Sequence, residues 1–158
     1  MTRCIRLLCS ALVSSGILVL ATSPAVASEP AAASGSGTEV FVPTGFRMAD
    51  GNTIVGADLR GTVTGTLSGT WSEHALDVIH ADGSQTTHAF GTFTVTTPCG
   101  TGSFPFELEA QQPTATSNLT GQWRSIDQNG AKLSIHTVDT FTTAPFSGVF
   151  SYSGTYHC

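Results

Sequence analysis

The fold is indicated most clearly by the stretch from Leu59 to Val95, which reads LRGTVTGTLSGTWSEHALDVIH, then ADGS, then QTTHAFGTFTV. Both limbs are rich in β-branched and aromatic residues, which favour strands. Between them, Asp82-Gly83 can supply the positive φ angles that a tight hairpin turn needs. We therefore expect Ala75 to His80 to pair antiparallel with Gln85 to Phe90, and further strands to be added on either side.

The length of the hairpin loop decides which side chains share a face. A three-residue loop ending at Gly83 places His88 opposite Leu76, on the same face as His74. A two-residue loop at the same position sends His88 to the other face, opposite Asp77. Both registers remain open from the sequence alone.

Apolar alternation through the rest of the chain predicts an all-β protein. Val63, Leu67 and Trp71 share one face of a ten-residue strand. A bulge just after Trp71 is expected to shift the inward positions to Leu76 and Val78. No stretch has a sustained helical period, and about eight strands follow one another at regular spacing, which predicts a single antiparallel β-barrel.

The N-terminal segment is typical of a secretory signal peptide. Arg3 and Arg6 precede an uncharged apolar run from Leu7 to Ala21, and small residues at 25–27 offer a cleavage site before Ser28. The run is too short for a membrane span, so we expect a secreted protein with no membrane insertion after cleavage. Residues 28–37, SEPAAASGSG, are predicted to form a flexible leader, and residues 38–158 the barrel domain.

Charge excludes one class of partner. Of the six basic residues, two lie in the signal segment, and the remaining four face eleven acids, which gives a formal charge of −7 after cleavage. Four scattered cations cannot form a basic patch, so nucleic acid is not an expected partner. The oligomeric state cannot be read from the sequence.

Two cysteines, Cys99 and Cys158, remain after cleavage. An even pair in an exported chain predicts a disulfide. It would close a loop of about 60 residues and stabilise the fold by roughly 4 kcal/mol in the chain-entropy model.

Two motifs carry a family resemblance. Leu67-Ser68-Gly69-Thr70 through Asp82-Gly83-Ser84, followed by Cys99-Gly100-Thr101-Gly102-Ser103-Phe104, resembles the glycine-rich strand, DGS hairpin and following turn of small bacterial secreted proteins of the DUF3224 type. The resemblance covers residues 61–123 and implies an allene-oxide-cyclase-like or lipocalin-like barrel. It implies no catalytic residues that match positions of this chain.

Three kinds of side chain are candidates for a site. His74, His80 and His88 lie on the two limbs of the hairpin, and three imidazoles on one face could bind zinc or copper. Two pairs of acids, Glu73 with Asp77 and Glu107 with Glu109, are spaced to share a face. The second pair alternates with a phenylalanine stripe, which predicts a solvated outer surface.

Aromatic side chains are the third kind of candidate. Trp71, Trp123 and Tyr152 could line a ligand pocket, although core packing is the alternative explanation. No cofactor is indicated by any motif. We therefore expect a non-enzymatic binding or structural module of the cell exterior, holding a small apolar ligand. The alternatives are a cyclase or isomerase that uses the barrel mouth, marked by an ionisable group inside the cavity, and a histidine-based metal-binding protein.

Overall fold

A computed structural model of the chain describes residues 29–125, 132–142 and 147–157, and these residues form strands and turns with no helix. None of the described segments is therefore a helix long and apolar enough to cross a membrane. The eight strands, with their bounds, are β1 (Ala31–Ala49), β2 (Asn52–Gly65), β3 (Ser68–Ile79), β4 (Gln85–Thr97), β5 (Gly100–Gln112), β6 (Leu119–Ser125), β7 (Lys132–Thr142) and β8 (Ser147–His157).

The strands form one closed barrel in which each pairs antiparallel with its neighbours in the sequence, and β8 returns to pair with β1. This confirms the predicted fold class. The β1–β2, β3–β4 and β5–β6 connections lie at one end, because consecutive strands run in opposite directions. We call the end with these connections the acidic end.

Residues 31–37, which the sequence assigned to a flexible leader over residues 28–37, form the first part of β1 instead. β1 begins at Ala31, and residues 31–40 supply the whole of its pairing with β8. Gly37 lies opposite Phe150, and a side chain at Gly37 would collide with that ring. Gly35 stands in the same relation to Tyr152. The segment looks like a linker in sequence because its small residues make room for large aromatic side chains on β8.

The central hairpin has the three-residue loop. Ile79 pairs with Gln85, and the amide of His80 donates to the carbonyl of Ser84 over 2.8 Å. Gly83 has a φ of +83°, the left-handed conformation that glycine adopts at no steric cost. The loop is further fixed by the Asp82 carboxylate, which accepts hydrogen bonds from the amide and hydroxyl of Ser84. The predicted pairing of the two limbs is confirmed.

The prediction that Leu76 and Val78 point inward was wrong. Leu76 is 47% exposed, whereas Glu73, Ala75 and Asp77 on the same strand are buried. The pairing of β3 with both neighbours runs without a register shift, so no bulge changes the alternation that Trp71 sets. The apolar residues at 76 and 78 therefore face outward, and two acids take the inward positions.

Aromatic side chains fill the middle of the barrel. The ring centroids of Trp71 and Trp123 are 5.6 Å apart, and those of Trp123 and Phe150 are 5.0 Å apart. Phe93 and Phe106, at 4.5 Å, complete the cluster. Towards the end opposite the acidic end, the interior is sealed by side chains that are at most 1% exposed: Val63, Leu67, Val95 and Ile135.

Candidate functional site

Four carboxyl groups line one small cavity inside the barrel. Glu39 on β1, Glu73 and Asp77 on β3, and Asp139 on β7 surround a space of about 20 Å³. The apolar part of the lining includes Trp123, which closes the cavity towards the middle of the barrel. A space of this size holds about one water molecule. This cluster lies towards the end of the barrel that holds the β1–β2, β3–β4 and β5–β6 connections, which gives the acidic end its name.

Strand register brings these acids together. Glu39 pairs with Gly61 and Gly148, and Glu73 pairs with Leu59 and Gly91, so the neighbours of both are small or apolar. The four carboxylic residues are each only 5–7% exposed.

Burial raises the pKa of all four acids. It raises the pKa of Glu39 to about 8 and that of Asp139 to about 7, and the Asp139 carboxyl adds to the effect on Glu39. The pKa of Glu73 is held well above its ordinary value by burial and then by the charges of Glu39, Asp139 and Asp77. Burial also raises the pKa of Asp77, although a hydrogen bond from Thr87 opposes the shift. Near neutral pH the cluster therefore holds bound protons that a positively charged occupant could replace.

Several buried polar atoms have no hydrogen-bond partner among the described residues. They include one oxygen each of Glu39, Glu73 and Asp139, and the indole nitrogens of Trp71 and Trp123, two residues that are each only 3% exposed. An unpaired buried polar group costs about 1–3 kcal/mol, so native proteins rarely leave one without a partner, water or ligand. Glu39, Glu73, Asp139 and Trp123 all line the same small cavity.

An apolar lip, formed by the later residues of β1, extends past β8 at the acidic end. β8 pairs with β1 only as far as Val40, so the later residues of β1 extend past it, paired with β2 alone among the described strands. Phe46 lies opposite Val55, which in turn lies opposite Asp77. Residues paired across strands share a face, so Phe46 is on the face that turns towards the barrel axis, yet it is 79% exposed. Met48, 73% exposed, lies on the same face one step further out.

The predicted histidine face exists, but it is on the outside. His74 and His88 lie on the outer surface, opposite Phe90 and Leu76 respectively. His74 Nδ1 is 2.8 Å from Asp58 Oδ1, and both side chains are about two-thirds exposed. His80 lies further along, at the hairpin loop. Within the part of the chain that the structure describes, no three His, Cys, Asp or Glu side chains are placed to hold a metal ion.

The three aromatic candidates are core residues. Trp71 and Trp123 are each 3% exposed. The Tyr152 hydroxyl accepts a 2.9 Å hydrogen bond from the amide of Leu67 and donates to the carbonyl of Thr64, which ties β8 to the β2–β3 connection. Only Trp123 reaches the acidic cavity.

Two predictions depend partly on residues outside the described ones. Cys99 lies in the β4–β5 turn, at the end of the barrel where β8 also ends with His157, but Cys158 is not among the described residues. The Cys99–Cys158 disulfide therefore stays a prediction. The signal peptide, residues 1–27, also lies outside the described part.

The sequence identified half of the acidic cluster. Glu73 and Asp77 were predicted to share a face, and Glu107 and Glu109 are exposed as predicted. Glu39 and Asp139 were missed. The available signal was strand parity, because Glu39 alternates in phase with Phe41 and Asp139 with the buried Ile135.

Comparison with known proteins adds no identity: no family model, no curated protein and no solved structure matches the chain.

Proposed function

We propose that the chain is an exported binding module, and that a small ligand enters the acidic end of its barrel. Export is supported by the predicted signal peptide. The single observation that carries the binding proposal is a cavity lined by four buried carboxyl groups, three of which have an oxygen without a hydrogen-bond partner among the described residues. The rest of the interior is packed with aromatic rings, so binding at this end is favoured over binding deeper in the barrel.

The nature of the lining changes the expected ligand. The sequence suggested a small apolar molecule, but four carboxyl groups around the cavity favour a polar head group. The apolar lip, with Phe46 and Met48, suits a short hydrocarbon part outside the cavity.

The test is a fragment screen by ligand-observed NMR on the full exported chain. Glu73→Gln removes one carboxyl from the cavity and keeps the shape of the side chain. Glu107→Gln makes the same change on the exposed face and is the matched control. We expect hits that lose binding in Glu73→Gln and keep it in Glu107→Gln. Hits that bind Glu73→Gln as well as the native chain would contradict the proposal, as would a screen with no hits.

A second candidate is an acid–base enzyme, such as a cyclase or isomerase that works at the barrel mouth. Its support is an ionisable cluster inside the barrel, in which the pKa values of Glu39 and Asp139 are raised to about 8 and about 7. Groups that titrate near neutral pH are suited to donating and accepting protons.

The two candidates differ in what happens to the ligand. An isomerase that moves protons should exchange carbon-bound hydrogen of a screening hit with deuterium from D₂O, whereas a binding module returns the ligand unchanged. Mass spectrometry of hits incubated with native chain and with Asp139→Asn separates the candidates. Exchange that requires Asp139 supports the enzyme, and the absence of exchange supports the module.

A further inference from the structure

A groove crosses the outer face of the barrel, over strands β1 to β4, and has a volume of about 570 Å³. Strand register places one side chain from each of these strands in a single row along it. Val42 lies opposite Asp58, which lies opposite His74. His74 in turn lies opposite Phe90. Because cross-strand neighbours on one face are close enough to interact, the groove holds a polar Asp58–His74 pair between two apolar side chains.

The Asp58–His74 pair fixes which nitrogen of the imidazole is free. His74 Nδ1 is 2.8 Å from Asp58 Oδ1, and a carboxylate can only accept a hydrogen bond. Nδ1 therefore carries the hydrogen, and Nε2 of the neutral ring keeps a lone pair. Within the described part of the chain His74 makes no other hydrogen bond, and about two-thirds of its side chain is exposed, so water can reach Nε2. A carboxylate orients a histidine in this way when the histidine acts as a general base.

Arg60 brings a positive charge to the same groove. It pairs with Ser72, two residues before His74 on β3, so Arg60 and His74 are diagonal neighbours on the outer face. A long side chain can reach across such a diagonal. Arg60 forms no ion pair with any described residue, so its hydrogen-bond donors are available to an oxygen of a ligand.

These groups match the requirements of ester hydrolysis. A general base activates a water molecule, and negative charge develops on the carbonyl oxygen of the ester when the water attacks. A positioned guanidinium stabilises that charge. Phe90 and Val42, which are 60% and 45% exposed, offer apolar contacts to the carbon parts of the ester.

We infer that the outer groove hydrolyses small carboxylic esters, with His74 as the general base, Asp58 as its positioning residue and Arg60 as a donor to the carbonyl oxygen. The water oxygen bonds to the carbonyl carbon as one water proton moves to His74 Nε2. The bond from that carbon to the leaving oxygen then breaks, and the leaving oxygen takes the proton from His74. An ester and water thus give a carboxylic acid and an alcohol, and the imidazole is restored.

Release of 4-nitrophenolate from 4-nitrophenyl acetate, measured on the full exported chain at pH 8, tests the inference. We expect each chain to complete many turnovers above the rate in buffer. His74→Ala should lower kcat at least tenfold, because general-base catalysis typically contributes more than that. His88→Ala is the matched control and should leave the rate unchanged, because His88 is also exposed on the outer face but lies opposite Leu76, outside this groove.

Further variants separate positioning from binding. Asp58→Asn should lower kcat at least threefold with little change in KM, because it removes the orientation of His74 and no contact to the ester, and Asp58→Glu should recover part of the loss. Phe90→Ser should raise KM for 4-nitrophenyl butyrate more than for the acetate, because the longer acyl chain has more apolar surface. The replaced side chains are exposed, so circular dichroism should show a native fold.

Four results would overturn the inference. The native chain might release 4-nitrophenolate no faster than buffer, or His74→Ala might match the native rate. Equal losses in His74→Ala and His88→Ala would show unspecific catalysis by surface imidazoles. Loss of the activity on addition of EDTA would show that a metal ion, and not His74, activates the water. All four leave binding at the acidic end untouched, because the fragment screen tests that proposal separately.

Discussion

The hydroxyl of Thr87 donates a 2.5 Å hydrogen bond to the carboxyl group of Asp77 across the β3–β4 pair, inside the barrel. This contact is a consequence of loop length. With a two-residue loop, Asp77 would face His88, and an imidazole would enter the acidic cavity. The three-residue loop keeps His74 and His88 outside, and the described residues that line the cavity include four acids and no Lys, Arg or His.

Gly83→Val should destabilise the barrel through this loop. Gly83 has a φ of +83°, and a β-branched residue resists that conformation. Space is not the obstacle, because an added Cβ would be 3.6 Å from that of Ala115, an ordinary contact. We expect a loss of about 1–3 kcal/mol in the free energy of unfolding, measured by urea denaturation. Gly83→Asn, which tolerates positive φ, is the control and should lose less than half as much. Equal losses in the two variants would contradict the backbone explanation.

Stability should fall as the pH rises from 5 to 8. The folded-state pKa values of Glu39 and Asp139, about 8 and about 7, are above their ordinary values of 4.5 and 3.8. In this window the folded chain therefore holds more protons than the unfolded chain, so raising the pH favours unfolding. We expect the free energy of unfolding to be about 2–4 kcal/mol lower at pH 8 than at pH 5, measured by urea denaturation without ligand.

A variant assigns this pH dependence to the cluster. Glu73→Gln removes a buried acid whose neighbours repel its charge, and it should raise stability at pH 8 by about 1–3 kcal/mol while flattening the profile. Glu107→Gln should leave the profile unchanged, because that side chain is exposed. A native profile that rises from pH 5 to pH 8 would contradict the account of the buried acids.

The predicted Cys99–Cys158 disulfide can be tested on secreted protein. Mass spectrometry of the native, non-reduced chain should find no free thiol at these two positions. Cys158→Ser should lower the free energy of unfolding by about 2–4 kcal/mol, chiefly because the unfolded chain is no longer constrained. Two alkylated cysteines in the native protein would refute the bond.

The predicted export signal has an equally direct test. N-terminal sequencing of the secreted chain should begin at Ser28, because small residues at 25–27 follow the apolar run. A secreted chain that retains residues 7–21 would contradict cleavage there. The start also matters for the fold, because β1 begins at Ala31 and its first residues close the barrel against β8.

Apolar alternation in the sequence predicted the barrel, and glycine chemistry predicted the hairpin. Prediction from apolar alternation failed at the positions where an inward-facing residue is not apolar. The sequence of residues 31–37 resembles a linker because Gly35 and Gly37 make room for Tyr152 and Phe150. This relation joins positions far apart in the chain, so no local sequence pattern contains it. Leu76 was assigned to the interior because it is apolar, although strand phase places Asp77 there. The acidic site is therefore located where hydrophobicity and strand phase disagree.

The central claim, that a small ligand binds at the acidic end of the barrel, is tested most directly by the indole N–H signals in a ¹⁵N–¹H NMR spectrum, because Trp123 lines the acidic cavity. The chain has two tryptophans, so two indole signals are expected, and Trp71→Phe assigns them. We predict that a hit from the fragment screen moves the Trp123 signal in the native chain and in Glu107→Gln, but not in Glu73→Gln. A Trp123 signal that stays in place at a saturating concentration of every hit, or that moves equally in Glu73→Gln, would contradict the claim.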